Sequence, residues 1–270
     1  IHATSQVPAK KTRFITYCQR IAAILLLPAI IAIVALMMKK DHQEPLIAYN
    51  EVTAPYGMVS SLTLPDSSKV WLNAGSTLKY PAAFTSNVRE VEMSGEAYFE
   101  VHADKEHPFI VNTGDLKVTA TGTAFNICSF AKAQEEVITL VTGKVAVSQE
   151  NNIKHLLPGQ QLNYQRASKS MEITDIDTYK YISWKDGILA FRDDPLKSIF
   201  NRLEQVYQVR FILKDTSINQ FTYRATFKGE TLDEILDYMG MSIPITFRTT
   251  ETEKEGNDSI NVRTIEVYKN

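Results

Sequence analysis

Side chains that could do chemistry are few in this chain and mostly dispersed. The 270 residues carry five histidines. One stretch, HADKEHP, gathers His102, Asp104, Glu106 and His107. Imidazoles and carboxylates at that density could hold a metal ion. The same residue types also make solvated turns, and no ligand-bearing helix accompanies them, so a polar turn is the expected reading. Cys18 and Cys128 are far apart, with no CxxC pair and no zinc spacing. No basic neighbour in sequence depresses the Cys128 thiol, which is expected to behave as a small buried hydrophobe. No two of the 11 glycines are separated by a single residue, which excludes GxGxxG. Walker A, GxSxG and HExxH patterns do not occur either. Tyr80, Phe84, Tyr98 and Phe99 could form a sugar platform, but they alternate with other strand residues and are expected to pack in a core. No metal, no cofactor and no turnover enzyme are expected.

The elements around these residues come in three kinds. Ile21 to Met38 is an uncharged run of 18 residues, within the roughly 17–25 needed to cross a bilayer core. It is apolar on every face, and VALMMKKD offers no good signal-peptidase site, so a single membrane helix is expected. Pro28 is tolerable in such a helix. Lys10, Lys11, Arg13 and Arg20 precede the run and Lys39 and Lys40 follow it, which points the N-terminus to the cytoplasm and the bulk to the periplasm. The chain begins at Ile1, as expected of a processed product or trimmed fragment. A formal net charge of −2 gives no electrostatic case for a nucleic-acid partner.

Residues 41–56, with Pro45 and Pro55, read as a linker. Residues 57–177 read as an all-β domain. SSLTLPDSSKVWL is two apolar stretches around a Pro-Asp-Ser-Ser turn, EAYFEV alternates, and hairpins are expected near Gly114 and Gly143. In VWLNAGSTLKYP, Trp71 is expected to anchor the core, with Asn73 and Ser76 satisfying the turn beside it. Residues 184–270 read as a small α+β domain of two βα units. Leu196, Ile199, Phe200, Leu203, Val206 and Tyr207 make a helical stripe, with Asp194 as cap and Pro195 at the first position. AFRDDPLKSIF then recurs as TFKGETLDEIL, where Thr231 and Glu234 form a capping box. TTETEKEGNDS is expected to be a hairpin loop.

LTLPDSSKVWLNAGSTLKYP, REVEMSGEAYFEV, PFIVNTGDLKVTATGTAFNI, VITLVTGKVAV and LLPGQQL occur in that order. Together they resemble the periplasmic domain of FecR-type transmembrane anti-sigma factors. SWKDGILAFRDDPLKSIFNRLEQVYQV resembles the C-terminal domain of the Bacteroidota-type branch, which is similar to the short N-terminal signalling modules of secretins and TonB-dependent transducers. The likeness covers residues 55–270.

The resemblance implies an inner-membrane regulator that relays a signal from an outer-membrane TonB-dependent transducer to an extracytoplasmic-function sigma factor. About twenty residues precede the span, too few for a packed sigma-binding domain, so that part is expected to be largely absent from this chain. The transducer contact is expected in residues 184–270, through strand edges in QFTYRATF and INVRTIEVY. Some members of the family cut themselves at a Gly-Thr step, which implies single-turnover cleavage at Gly122-Thr123. By its residues alone the step reads as a bulge or tight bend. The alternative function is a membrane-anchored periplasmic module that binds a glycan or envelope polymer.

Overall fold

A computed structural model describes residues 10–38, 48–255 and 260–270. The chain divides into two units, Ile1–Leu46 and Ile47–Asn270. In the first, helix α1 spans Lys10–Met38 with Pro28 inside it. Among the described residues no helix is long and apolar enough to cross a membrane. The side chains of Ala23, Leu27 and residues 35–38, within the expected span, lie outside that description.

Turn residues cut the first part of the second unit into thirteen strands. They are β1 (Tyr49–Thr53), β2 (Ser60–Thr63), β3 (Lys69–Leu72), β4 (Thr77–Pro81), β5 (Arg89–Glu100), β6 (Phe109–Asn112), β7 (Lys117–Ala120), β8 (Ala124–Ser129), β9 (Glu135–Thr142), β10 (Val145–Gln149), β11 (Asn152–Leu156), β12 (Gln160–Gln165) and β13 (Ser170–Asp175). One layer runs β11-β10-β7-β6-β5-β4-β1 and the other β13-β12-β9-β8-β5-β3-β2. Strand β5 belongs to both: Arg89–Glu92 pair with β6, and Gly95–Glu100 pair with β8. The strand passes between layers at Gly95, whose φ is +100°; a Cβ there would sit 2.4 Å from Ser76 Oγ. Only glycine fits that bend. Phe99, Phe109 and Phe125 fill the space between the layers, fully buried, with the Phe99 and Phe125 rings stacked at 5.2 Å. Each contributes about 1.5–3 kcal/mol relative to an exposed side chain.

The second part begins with a short helix α2 (Tyr179–Ile182) and a 3-10 turn, Ser183–Asp186. It continues as β14 (Ile188–Pro195), α3 (Leu196–Tyr207), β15 (Val209–Leu213), a 3-10 turn at Thr216–Gln220, β16 (Thr222–Lys228), α4 (Leu232–Ser242), β17 (Ile245–Glu255) and β18 (Ile260–Lys269). Strands β14 and β16 form an antiparallel ribbon, and β15-β18-β17 a three-stranded sheet in which β15 and β18 are parallel. The repeated sequence units share one core. Phe191 and Phe227 meet edge to face at 6.2 Å, and Leu196, Leu232, Ile199 and Ile235 are all buried. Thr231 and Glu234 form the reciprocal capping box at the start of α4.

Several expectations are corrected. Tyr49–Thr53 is strand β1, paired with β4, so the segment read as a linker over 41–56 enters the β-domain by Tyr49. Gly143 does not turn a hairpin: β9 pairs with β8 and β12, while β10 pairs with β7 and β11, so the chain crosses there from one layer to the other. Local turn chemistry is the same in both cases; the strand partners differ. Asp194 does not cap α3, whose N-cap is Pro195 without a side-chain bond. Its carboxylate takes Lys180 Nζ at 2.6 Å and the Arg192 amide instead. INVRTIEVY lies in β18, the central strand of its sheet, and is not an edge. TTETEKEGNDS is mostly strand, since β17 runs to Glu255; residues 256–259 lie outside the described residues.

Candidate functional site

Strand β7 ends at Ala120 and β8 begins at Ala124, so Gly122-Thr123 is the corner between them. Gly122 has φ +130°, and a Cβ on it would stand 2.9 Å from both Cα and Cβ of Ala103. On the other side, a Cβ on Gly143 would meet Thr123 Cγ2 at 2.6 Å and the Gly122 carbonyl oxygen at 2.8 Å. The corner is thus clamped between two small residues. The β8–β9 register shifts just past it, between Ala124 and Phe125. The Thr123 carbonyl accepts from Val101 N at 2.9 Å. Its hydroxyl is buried without a hydrogen-bond partner, an exception that calls for a reason in a folded protein. No base is hydrogen-bonded to that hydroxyl among the described residues.

On β5, opposite β8, a buried carboxylate joins the two parts of the unit. Glu96 accepts Asn73 Nδ2 at 2.7 Å and Asn126 Nδ2 at 2.9 Å, and Asn126 Oδ1 accepts Trp184 Nε1 at 3.2 Å. Ser76 Oγ accepts the Glu96 amide at 2.8 Å. The turn after Trp71 therefore supplies one partner of the carboxylate, Asn73, and the acceptor of its backbone amide, Ser76. Burial pushes the Glu96 carboxyl above its ordinary value, opposed by the Arg202 charge and the bonds from Asn126, Asn73 and Trp184. Nearby Cys128 has its thiol raised well above its ordinary value, by burial first and then by Glu96. Trp71 is not the core anchor; Val70 and Leu72 are. The indole lies half-buried on the opposite face, edge-on to Tyr98 at 5.7 Å, with Lys185 Nζ over both rings at 5.7 and 5.4 Å. A strand that alternates around buried Val70 and Leu72 must turn Trp71 outward. Gly57 N also donates to Val206 O at 2.8 Å, a second tie between the two parts.

The HADKEHP loop folds on itself. Asp104 bonds His107 Nδ1 and accepts the His107 and Glu106 amides, which in that order hold its carboxyl down at about 2. Beneath it Arg89 donates to Asp66 at 2.6 Å and to the His102 and His107 carbonyls. Phe99 and Phe84 pack in or against the core, as does Tyr80.

Sequence reasoning missed the Glu96 node. The available signal was a single acid inside the otherwise apolar run Gly95–Phe99. It also missed an open cavity of about 420 Å³ lined by Ile176, Asp177, Lys180, Tyr181, Arg192 and Arg224.

Two family models match, FecR protein over residues 50–152 and FecR, C-terminal over residues 188–255. Two crystal structures of a "putative anti-sigma factor" from Parabacteroides distasonis are similar. One has TM-score 0.70 and 29% identity over 82% of this chain and 99% of that one; the other has 0.69 and 29% over 83% and 100%. No curated protein matches. The chain belongs to the FecR-type anti-sigma factor family. The two matched regions fall on the β-domain and on the βα repeats respectively.

Proposed function

We propose that this chain is a single-pass regulator of the cytoplasmic membrane, with its N-terminus in the cytoplasm and its bulk in the periplasm. It relays the state of an outer-membrane TonB-dependent transducer to an extracytoplasmic-function sigma factor. The observation that carries the reading is the ordered pair of family matches, on a fold similar over 82% of the chain to a crystal structure of a "putative anti-sigma factor". The anchor is supported by α1: Ile21, Ile24, Leu25, Leu26, Ile30, Ile31, Ile33 and Val34 are all exposed, on every side of the helix. A helix apolar all round belongs in a protein core or a bilayer. Alkaline phosphatase fused after Asn270 should be active in cells, and a reporter that needs the cytoplasm should be dark. The reverse pattern overturns the topology. Loss of transducer binding on deletion of residues 184–270 tests the assignment of the contact to that half.

A second activity is favoured by the orphaned Thr123 hydroxyl. In single-turnover cleavage, Thr123 Oγ1 attacks the Gly122 carbonyl carbon. The C–N bond breaks, the amine takes the proton, and water then hydrolyses the ester to a Gly122 carboxylate and a free Thr123. The clamp of Ala103 and Gly143 fixes the geometry of the attacked bond. A chain tagged at both ends should divide at Gly122 on a denaturing gel, and Thr123→Ala should stay whole. One intact band from the unmutated chain after hydroxylamine would leave the corner structural.

A further inference from the structure

The α+β half has four strand edges that face away from their ladders, and they are not alike. On β14, the carbonyls of Ile188 and Ala190 point away from β16; Ser183 Oγ donates to the first at 3.0 Å and Arg202 to the second at 3.3 Å. On β15, the Phe211 amide is taken by Glu204 of α3 at 2.6 Å. These two edges are closed. Among the described residues β17 pairs only with β18, and the sequence of its outer end is acidic, with Glu251, Glu253 and Glu255.

Among the described residues β16 pairs only with β14. Backbone groups in an antiparallel ladder alternate in direction along each strand. Ile188 pairs with Lys228 and Ala190 with Thr226, and both carbonyls of β14 face outward there. The N–H and C=O groups of Arg224 and Thr226 therefore face outward from β16. The Lys228 amide, which shares that direction, is taken by the Glu230 carboxylate, so the open stretch ends there. Three cations flank this stretch, Arg192, Arg224 and Lys228, with the carboxylates of Asp193 and Glu230 among them. Arg192 is held by the Phe191 and Ala225 carbonyls and the Thr226 hydroxyl, and no carboxylate pairs with it among the described residues. Neither does one pair with Lys228 there. Arg224 is exposed and bonded to Asp193. Arg192 and Arg224 together line the 420 Å³ cavity.

We infer that β16 is the docking edge of this protein: an extended segment of the partner adds to it as a third strand, with acidic side chains on its solvent face. Backbone bonds to Arg224 and Thr226 supply the affinity. Side chains directly opposite on an added strand lie about 5 Å away, which brings an acid within reach of Arg224 or Lys228. The inference rests on the transducer reading and narrows it, since the occupant is a strand of the transducer's periplasmic signalling module.

The test uses the full chain in detergent and that purified module. Arg224→Glu combined with Lys228→Glu should weaken binding at least about tenfold, and so should Thr226→Pro, which removes an outward amide. Arg248→Glu on β17 should change it less than about twofold, and the Arg224 and Thr226 amides should gain hydrogen-exchange protection on binding. Melting curves establish that each variant folds; the charge pair serves if the proline does not. If the unmutated chain binds and the folded charge variant binds equally well, the edge is wrong and the transducer reading stands. If the unmutated chain does not bind the module, both fail.

Discussion

Between Tyr49 and Asp175 the protein buries Arg89, Glu96, Glu136, Asn73, Asn126 and Gln161; from Ile188 onward the one buried polar side chain among the described residues is Thr264. The first half is two layers of short strands whose connections cross between them, and those crossings need partners inside the fold. Arg89 ties β5 to Asp66 and to the loop carbonyls of His102 and His107. Arg166 ties Glu136 and Asp115 to the carbonyls of Phe130 and Ala133. In the second half two helices satisfy their own backbones, and the charges stay at the rim, as in Arg263–Asp233 and Lys214–Glu266. The β-domain is thereby a frame locked by buried charge. The α+β half is held by apolar contact, and that leaves an edge such as β16 open.

The contrast predicts graded effects. Arg166→Ala leaves Glu136, wholly buried, without its cation; it should cost about 3–5 kcal/mol, read as a drop in urea midpoint. A cost below about 1 kcal/mol would break the comparison. Next is Phe200→Ala, which removes a buried ring stacked on Phe211 at 4.7 Å and should cost about 3 kcal/mol. That value shows apolar packing carrying the second half, where the first adds buried charge to an apolar core of its own.

At the junction, Trp184→Phe orphans Asn126 Oδ1 and should cost about 1 kcal/mol. The same node gives a pH signature. The Glu96 carboxyl is raised by burial above 4.5, against the Arg202 charge and the Asn126, Asn73 and Trp184 bonds. The folded form therefore holds its proton more tightly than the unfolded chain. Its contribution is complete below 4.5 and is lost as pH rises through the folded value. Stability of the unmutated chain should fall across that window, and Glu96→Gln should flatten the slope in thermal melts. Smallest is Asp233→Asn, on a pair whose side chains are 37% and 67% exposed; it should stay within about 0.5 kcal/mol.

Alternating apolar residues and turn chemistry in the sequence determined the strands of the β-domain, the hairpin at Gly114, the repeated βα unit and the Thr231 capping box, because each depends on neighbours a few residues away. Ordered motifs carried the family. Tertiary structure alone decided which strands pair. Gly114 and Gly143 both sit between strand-like runs, yet one turns a hairpin and the other crosses layers, since a β ladder joins residues far apart in sequence. For the same reason INVRTIEVY became a central strand and QFTYRATF an edge. Burial of Glu96 was also decided there. An acid after a glycine looks solvated until Asn73, Asn126 and Trp184 arrive from positions 23 to 88 residues away and replace the water it gives up.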